Sequence, residues 1–242
     1  GDPALRLGSI TNHVILDSIN GMAVEALPED FTIHAGGKMQ LTGHVEDADN
    51  LLLSSFTGTL AVRLYDSQSV ITCLNNDGQA QSPFVFSTYD KILYNGQDSI
   101  RNGRFSLICP VPIDIKYSDQ PGRLLFYALS SDRLTEANGY SHDFCIGGTE
   151  PNLNDTIGPR ILAYLGDENF QDGDIVGATP FFVASLEDEN GICTGGNDVG
   201  HDLELVIDNK TASTYNLNDY FVREFGDYRR GTVAFSIPTL EK

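Results

Sequence analysis

His142 and Cys145 stand three positions apart and are the pair in this chain best suited by type to covalent chemistry. A cysteine nucleophile needs a base within hydrogen-bond reach to hold it as a thiolate. On one strand, however, an odd spacing sends two side chains to opposite faces, so the pair reads as non-catalytic. His13, His34, His44 and His201 show neither the i, i+4 helical spacing nor the adjoining carboxylate of a metallopeptidase motif. There is no Gly-x-Ser-x-Gly elbow and no Walker loop. The four cysteines, Cys73, Cys109, Cys145 and Cys193, include no Cys-x-x-Cys pair, which argues against zinc. Each lies in or beside an apolar run, so buried thiols are expected, with disulfide pairing as the alternative. No residue is assigned a catalytic, cofactor-binding or metal-binding role.

Two acidic loops remain. Asp167, Glu168, Asp172 and Asp174 share one; Asp188, Glu189, Asp198 and Asp202 fall in another. Calcium takes its oxygen ligands from such carboxylates. Neither loop has the EF-hand spacing, so solvated turns are the primary reading and a shared calcium ion the alternative. Tyr215, Tyr220, Phe221, Phe225 and Tyr228 crowd one segment, where they either pack in a core and between domains or offer a partner or glycan surface.

The elements that would carry these groups are strands. Among 242 residues 40% are apolar, 20% charged and 24 are glycine, a globular composition rich in tight turns. The formal charge is −19, which argues against nucleic acid and against an anionic membrane leaflet. No run reaches the roughly 18 apolar residues of a membrane helix. The stretch Pro180–Asp208 organises the second half. In it, Phe181, Val183 and Ser185 alternate with Phe182, Ala184 and Leu186, a strand expected to be covered on both faces. Leu203, Leu205 and Ile207 then form a strand with one wetter face.

Asn20-Gly21 and Asn102-Gly103 separate apolar runs and predict hairpins. Strands are expected over 14–19, 22–27, 38–46, 60–65, 70–74, 84–87, 91–94, 99–101, 104–111 and 124–130, the last of them central, with Asn95-Gly96 as a break. Asp132–Asn138 is read as a short capped turn, and Gly147–Pro159 as a linker. Further strands are expected over 160–165, 214–217, 221–225 and 232–237. The fold class is all-β: two consecutive β-sandwich (Ig-like) domains over 1–150 and 151–242. The second holds about five strands where a sandwich wants about seven, so it is expected to be truncated or left with an open edge. Residues 1–9 read as the tail of something upstream.

Several stretches in order carry a resemblance. Gly1-Asp2-Pro3-Ala4-Leu5-Arg6-Leu7 resembles the segment closing the catalytic domain of gingipain-like cysteine peptidases. Leu186–Gly191, Gly200-His201-Asp202 and Leu217-Asn218-Asp219-Tyr220 are similar to the post-catalytic region of the type IX secretion C-terminal signal peptidases (sortases) of Bacteroidetes. The resemblance implies a non-catalytic accessory region whose parent carries its Cys and His upstream of residue 1. That parent would remove the C-terminal signal of secreted cargo at the outer membrane surface and attach the product to an anionic lipopolysaccharide. The partners implied are the upstream catalytic domain and other secretion-system proteins. An adhesin-like glycan- or protein-binding module is the alternative function, and a purely structural stalk the third.

Overall fold

A computed structural model of the chain describes residues 11–76, 78, 82–151, 153, 155–194 and 202–238. Alternation becomes strand from the first described residues. β1 (Asn12–Ile19) turns at Asn20 and Gly21, with φ of 52° and 79°, into the two-residue β2 (Met22–Ala23). Two left-handed residues are what a tight hairpin of the type I′ kind requires. A 3-10 turn over Val24–Ala26 then replaces the longer second strand expected to reach Leu27. β3 (Thr32–Ala35), β4 (Lys38–Glu46), β5 (Gly58–Tyr65), β6 (Ser69–Thr72), β7 (Val85–Thr88), β8 (Ile92–Ile100) and β9 (Arg104–Pro110) follow. β10 (Gln120–Pro121), β11 (Arg123–Ser130), β12 (Glu136–Ser141) and β13 (Cys145–Thr149) complete the first unit. β14 (Arg160–Leu165), β15 (Phe181–Glu187), β16 (Glu204–Val206), β17 (Thr214–Asn216), β18 (Phe221–Arg223) and β19 (Arg230–Ser236) form the second. Among the described residues the only helical pieces are three short 3-10 turns.

Two expectations change here. β8 runs straight through Asn95-Gly96, which was read as a break. Gly96 is there because the Tyr94 ring folds over it, and a Cβ would stand 2.2 Å from the Tyr94 hydroxyl. β12 begins inside Asp132–Asn138, the stretch read as a short capped turn. Its inward positions are Ala137, Gly139 and Ser141, and a Cβ on Gly139 would meet the Val14 carbonyl oxygen at 2.0 Å. The close crossing demands small residues, and small residues erase the apolar alternation that marks a strand.

The main sheet of the first unit runs in the order β8-β5-β11-β12-β1-β4-β9, with β2 beside β1. All neighbours on that path are antiparallel except β1 and β12, which pair in parallel over two positions. β8 and β9, at opposite ends of the path, are joined through Asn102 and Gly103, and Arg101 and Arg104 exchange backbone hydrogen bonds there. The sheet therefore curls until it is nearly a barrel, in place of two separate facing sheets. Met39, Leu41 and Val45 from β4, Leu60 and Leu64 from β5 and Leu124 from β11 line its interior with no exposure at all. The small sheet β10-β13-β3 lies beside it, and Ile33, Ala35 and Ile146 from that sheet join the same core.

The second unit is an open sheet, β14-β15-β19-β18, with the two-stranded ladder β16–β17 apart from it. Ala184, Leu186, Val233 and Phe235 face a smaller core with Ile192, Leu217 and Ile237. The other face of β15 was expected to be covered, but Phe181 on it is 48% exposed. Register pairs Ile161 of β14 with Leu186, so both point to the core side, yet Ile161 is 60% exposed while Leu186 is 4% exposed.

Arg223 joins the units. Its guanidinium donates to the carbonyls of Tyr228 (2.6 Å), Ile192 (2.8 Å) and Asn95 (3.3 Å). It also lies over the Tyr94 ring at 5.0 Å and the Phe221 ring at 5.4 Å. The Gly226 N–H donates to the Gln97 carbonyl at 2.9 Å, and Tyr228 packs against the first core.

Candidate functional site

Among the described residues, those with the chemistry of a reaction centre lie apart. His142 is exposed just after β12, its ring stacked on Tyr140 at 5.7 Å. Cys145 opens β13, in a different sheet, so the two belong to different strands and were never opposite faces of one. His34 Nδ1 bonds the Gly147 carbonyl at 2.8 Å, and His44 Nδ1 bonds Asp17 at 2.7 Å. No disulfide joins the four cysteines. The expectation of buried thiols holds for Cys109 alone; Cys145 and Cys193 are half-buried and Cys73 is exposed. Burial pushes the Cys109 thiol and the Tyr94 phenol well above their ordinary values and draws the Arg223 guanidinium down. A thiol kept protonated is no nucleophile.

The acidic loops cap themselves. Asp167 accepts the Asn169 N–H, Asp174 the Gln171 N–H and Asp188 the Asn190 N–H, each at 2.8 Å. Asp202 accepts from the Asn218 amide at 2.6 Å. Asp198 lies outside the described residues, as do Gly200 and His201 and the tail 1–9. Among the described residues no three His, Cys, Asp or Glu side chains are grouped to hold a metal ion. The aromatic segment divides. Tyr215 and Tyr220 pack on Phe235, at 5.3 and 4.9 Å between ring centres, Phe221 joins the second core, and Tyr228 the first. Phe225 is left exposed.

The feature that stands out was read from the sequence only as two ordinary strands. β6 and β7 pair with each other and, among the described residues, with no third strand. The Cys73 N–H donates to the Phe84 carbonyl at 2.8 Å and carries the ladder past the strand ends. Ile71 pairs with Phe86, and Phe84 stacks on Phe86 at 6.0 Å, so these three share one face. Val70, Leu74 and Val85 alternate onto the other. Both faces are wet: Val70 is 70%, Leu74 82% and Phe84 69% exposed. From Ser69 to Thr88 the sole charged residue is Asp77, in a chain that carries 34 acids and 15 bases. This hairpin is an apolar, nearly uncharged projection on an acidic molecule, the pattern of a contact surface.

Its base is held rigidly. Asp66 and Ser67 are 1% exposed, and the Asp66 carboxylate accepts the backbone N–H groups of Ser67 (2.7 Å) and Lys116 (2.8 Å). The Lys116 ammonium donates to the Ser67 carbonyl (2.7 Å), Ser69 Oγ (2.7 Å) and Asp90 (2.6 Å). The Lys116 ammonium beside Asp90 holds that carboxyl below the usual range. Lys91 pairs with Asp114 at 2.7 Å, and both are nearly buried. Buried polar groups satisfied in this way fix a geometry.

No protein-family description and no curated protein sequence matches the chain. Among solved structures, the chain is similar over its whole length to part of dimeric latent PorU from Porphyromonas gingivalis, with 30% sequence identity and a TM-score of 0.63. Sporulation control protein Spo0M of Bacillus subtilis aligns at 11% identity over 75% of this chain and 68% of its own, and its TM-score of 0.33 is too low to mark a shared fold. The chain spans 22% of the PorU chain it matches. It is an all-β, PorU-like region.

Proposed function

We propose that this chain is a non-catalytic accessory region of a surface cysteine peptidase of the gingipain kind, a type IX secretion signal peptidase and sortase. It positions the catalytic domain and docks partners through the β6–β7 hairpin. The observation that carries this reading is the end-to-end similarity to one stretch of PorU. On this reading the parent's Cys and His lie upstream, the protein works at the outer membrane surface of a Bacteroidetes cell, and cargo processing belongs to the parent. In this proposal the second unit is an immunoglobulin-like sandwich with an open side, marked by the exposed Ile161. A second copy of the parent is the favoured partner of the hairpin, since the similar PorU structure is of a dimer and an uncharged arm is where two acidic molecules meet with least repulsion.

The test uses the full-length parent carrying Val70→Thr, Phe84→Ser and Phe86→Ser together. Sedimentation should show self-association reduced about tenfold or more, with little change in melting temperature because none of the three side chains belongs to either core. Association that survives the triple change sinks the docking role. Peptide hydrolysis by the isolated chain that disappears on Cys145→Ala or Cys193→Ala sinks the non-catalytic reading.

A further inference from the structure

The outward face of β8, β5, β11 and β12 forms a shallow depression of about 780 Å³. Register sets Gln97, Ala61, Tyr127 and Asn138 side by side in one row across these strands, and Asn95, Arg63, Leu125 and Tyr140 in the next. Arg123, two residues before Leu125, sits diagonally from Arg63. Two arginines and three side-chain amides thus line the depression, and no carboxylate does, in a chain of net charge −19. Among the described residues neither arginine is in an ion pair. Glu136 lies further along β12 on the same face, and its carboxylate is engaged by the Tyr127 hydroxyl.

We propose that this face binds an extended acidic peptide segment with carboxylates at alternate positions, one to Arg63 and one to Arg123. Diagonal neighbours on adjacent strands stand roughly 7–8 Å apart. Alternate residues of an extended strand are spaced about 7 Å apart and point the same way. The two arginine positions therefore match the repeat of the ligand, and each guanidinium can hold a carboxylate by charge-assisted hydrogen bonds. Arg123 is set in place between the rings of Tyr89 (5.4 Å) and Tyr140 (6.0 Å). The same contacts argue against a sugar stacked on Tyr140. Stacking a sugar on Tyr140 needs its ring face bare, and that ring has His142 and Arg123 as stacking neighbours already. This inference is independent of the hairpin and of the PorU likeness.

Titration calorimetry of the chain at low salt, with a short synthetic peptide alternating Thr and Glu, tests it. Binding is expected, about tenfold weaker or worse after Arg63→Gln or Arg123→Gln, and weaker as salt rises. Asn138→Asp, which adds a carboxylate to the rim of a surface strand, should weaken it too without touching the core, and unchanged melting temperatures certify the variants. No binding, equal binding of a Thr–Gln peptide, or indifference to all three substitutions overturns the proposal. So does preferential binding of polygalacturonate, which would assign the face to acidic glycans instead.

Discussion

The two units obey the same alternation and bury it to different degrees. Leu41 and Leu64, inside the curled sheet, have no exposure, whereas Ile161, on the core side of the open sheet, is 60% exposed. Their sequences, KMQLTGHVE and RILAYL, give no hint of that gap. The difference lies in what stands opposite. The first sheet returns on itself through the β8–β9 corner and supplies its own second layer. Among the described residues the second has only the short β16–β17 ladder opposite, with Leu203, Leu205 and Tyr215 packed on the core it shares with β15 and β19. Burial is thus a property of closure, and alternation states only which side is ready for it.

The largest effect that could break this contrast concerns paired deletions. Leu41→Ala should cost about 2–5 kcal/mol of first-unit stability through lost transfer and a cavity. Ile161→Ala should cost less than about 1 kcal/mol, because little is removed from contact. Urea unfolding followed by tyrosine fluorescence reads both; comparable losses would mean that Ile161 is covered in solution.

A smaller effect sharpens the contrast at the junction. Arg223→Met keeps much of the side-chain volume but leaves the Tyr228 and Ile192 carbonyls without their donor, at a cost of about 1–3 kcal/mol. It should separate the unfolding of the two units, the second melting first. A single coincident transition in that variant would show that the units are coupled by something other than this guanidinium.

The smallest effect is one of pH. Asp90 beside Lys116 in the first unit, and Asp227 beside Arg229 at the junction, both titrate below the usual carboxylate range. A depressed folded-state value stabilises the fold above the ordinary carboxylate pKa, and the contribution is lost as pH falls through the folded value. Stability should therefore decline below about pH 4. Lys116→Met should flatten the first unit's share of that decline and Arg229→Gln the junction's. An undiminished slope in both variants would assign the acid sensitivity to other carboxylates.

Much of the fold was legible because local chemistry and burial agree. β4 keeps its expected bounds since every second residue from Met39 to Val45 faces the interior. Asn20-Gly21 and Asn102-Gly103 turn as their left-handed backbone requires. The failures come where a glycine serves a neighbour instead of a turn. Gly96 makes room for Tyr94 and Gly139 for the Val14 carbonyl, and a partner distant in the chain leaves no local mark. The β6–β7 hairpin was visible as two strands but not as a projection, because nothing in VITCL or FVF says that both faces stay wet. The arginine-lined face was invisible for a related reason: Arg63 and Arg123 are sixty positions apart and meet only through the β5–β11 register.

The seam between β1 and β12 has a mechanical meaning. Two register pairs, Asn12↔Ala137 and His13↔Asn138, and the Asn12 side-chain amide donating to the Glu136 carbonyl at 3.0 Å stitch those strands, while the neighbouring antiparallel ladders run six to eight pairs. Asn12 is also the first residue of β1, so traction from the N-terminal side reaches the stitch before any longer ladder bears load. The curled sheet would part there into two panels, β8-β5-β11-β12 and β1-β4-β9, still linked by the tight corner at Asn102 and Gly103. A fold of this kind yields along a line drawn by its strand order, with most of its ladders intact when it gives.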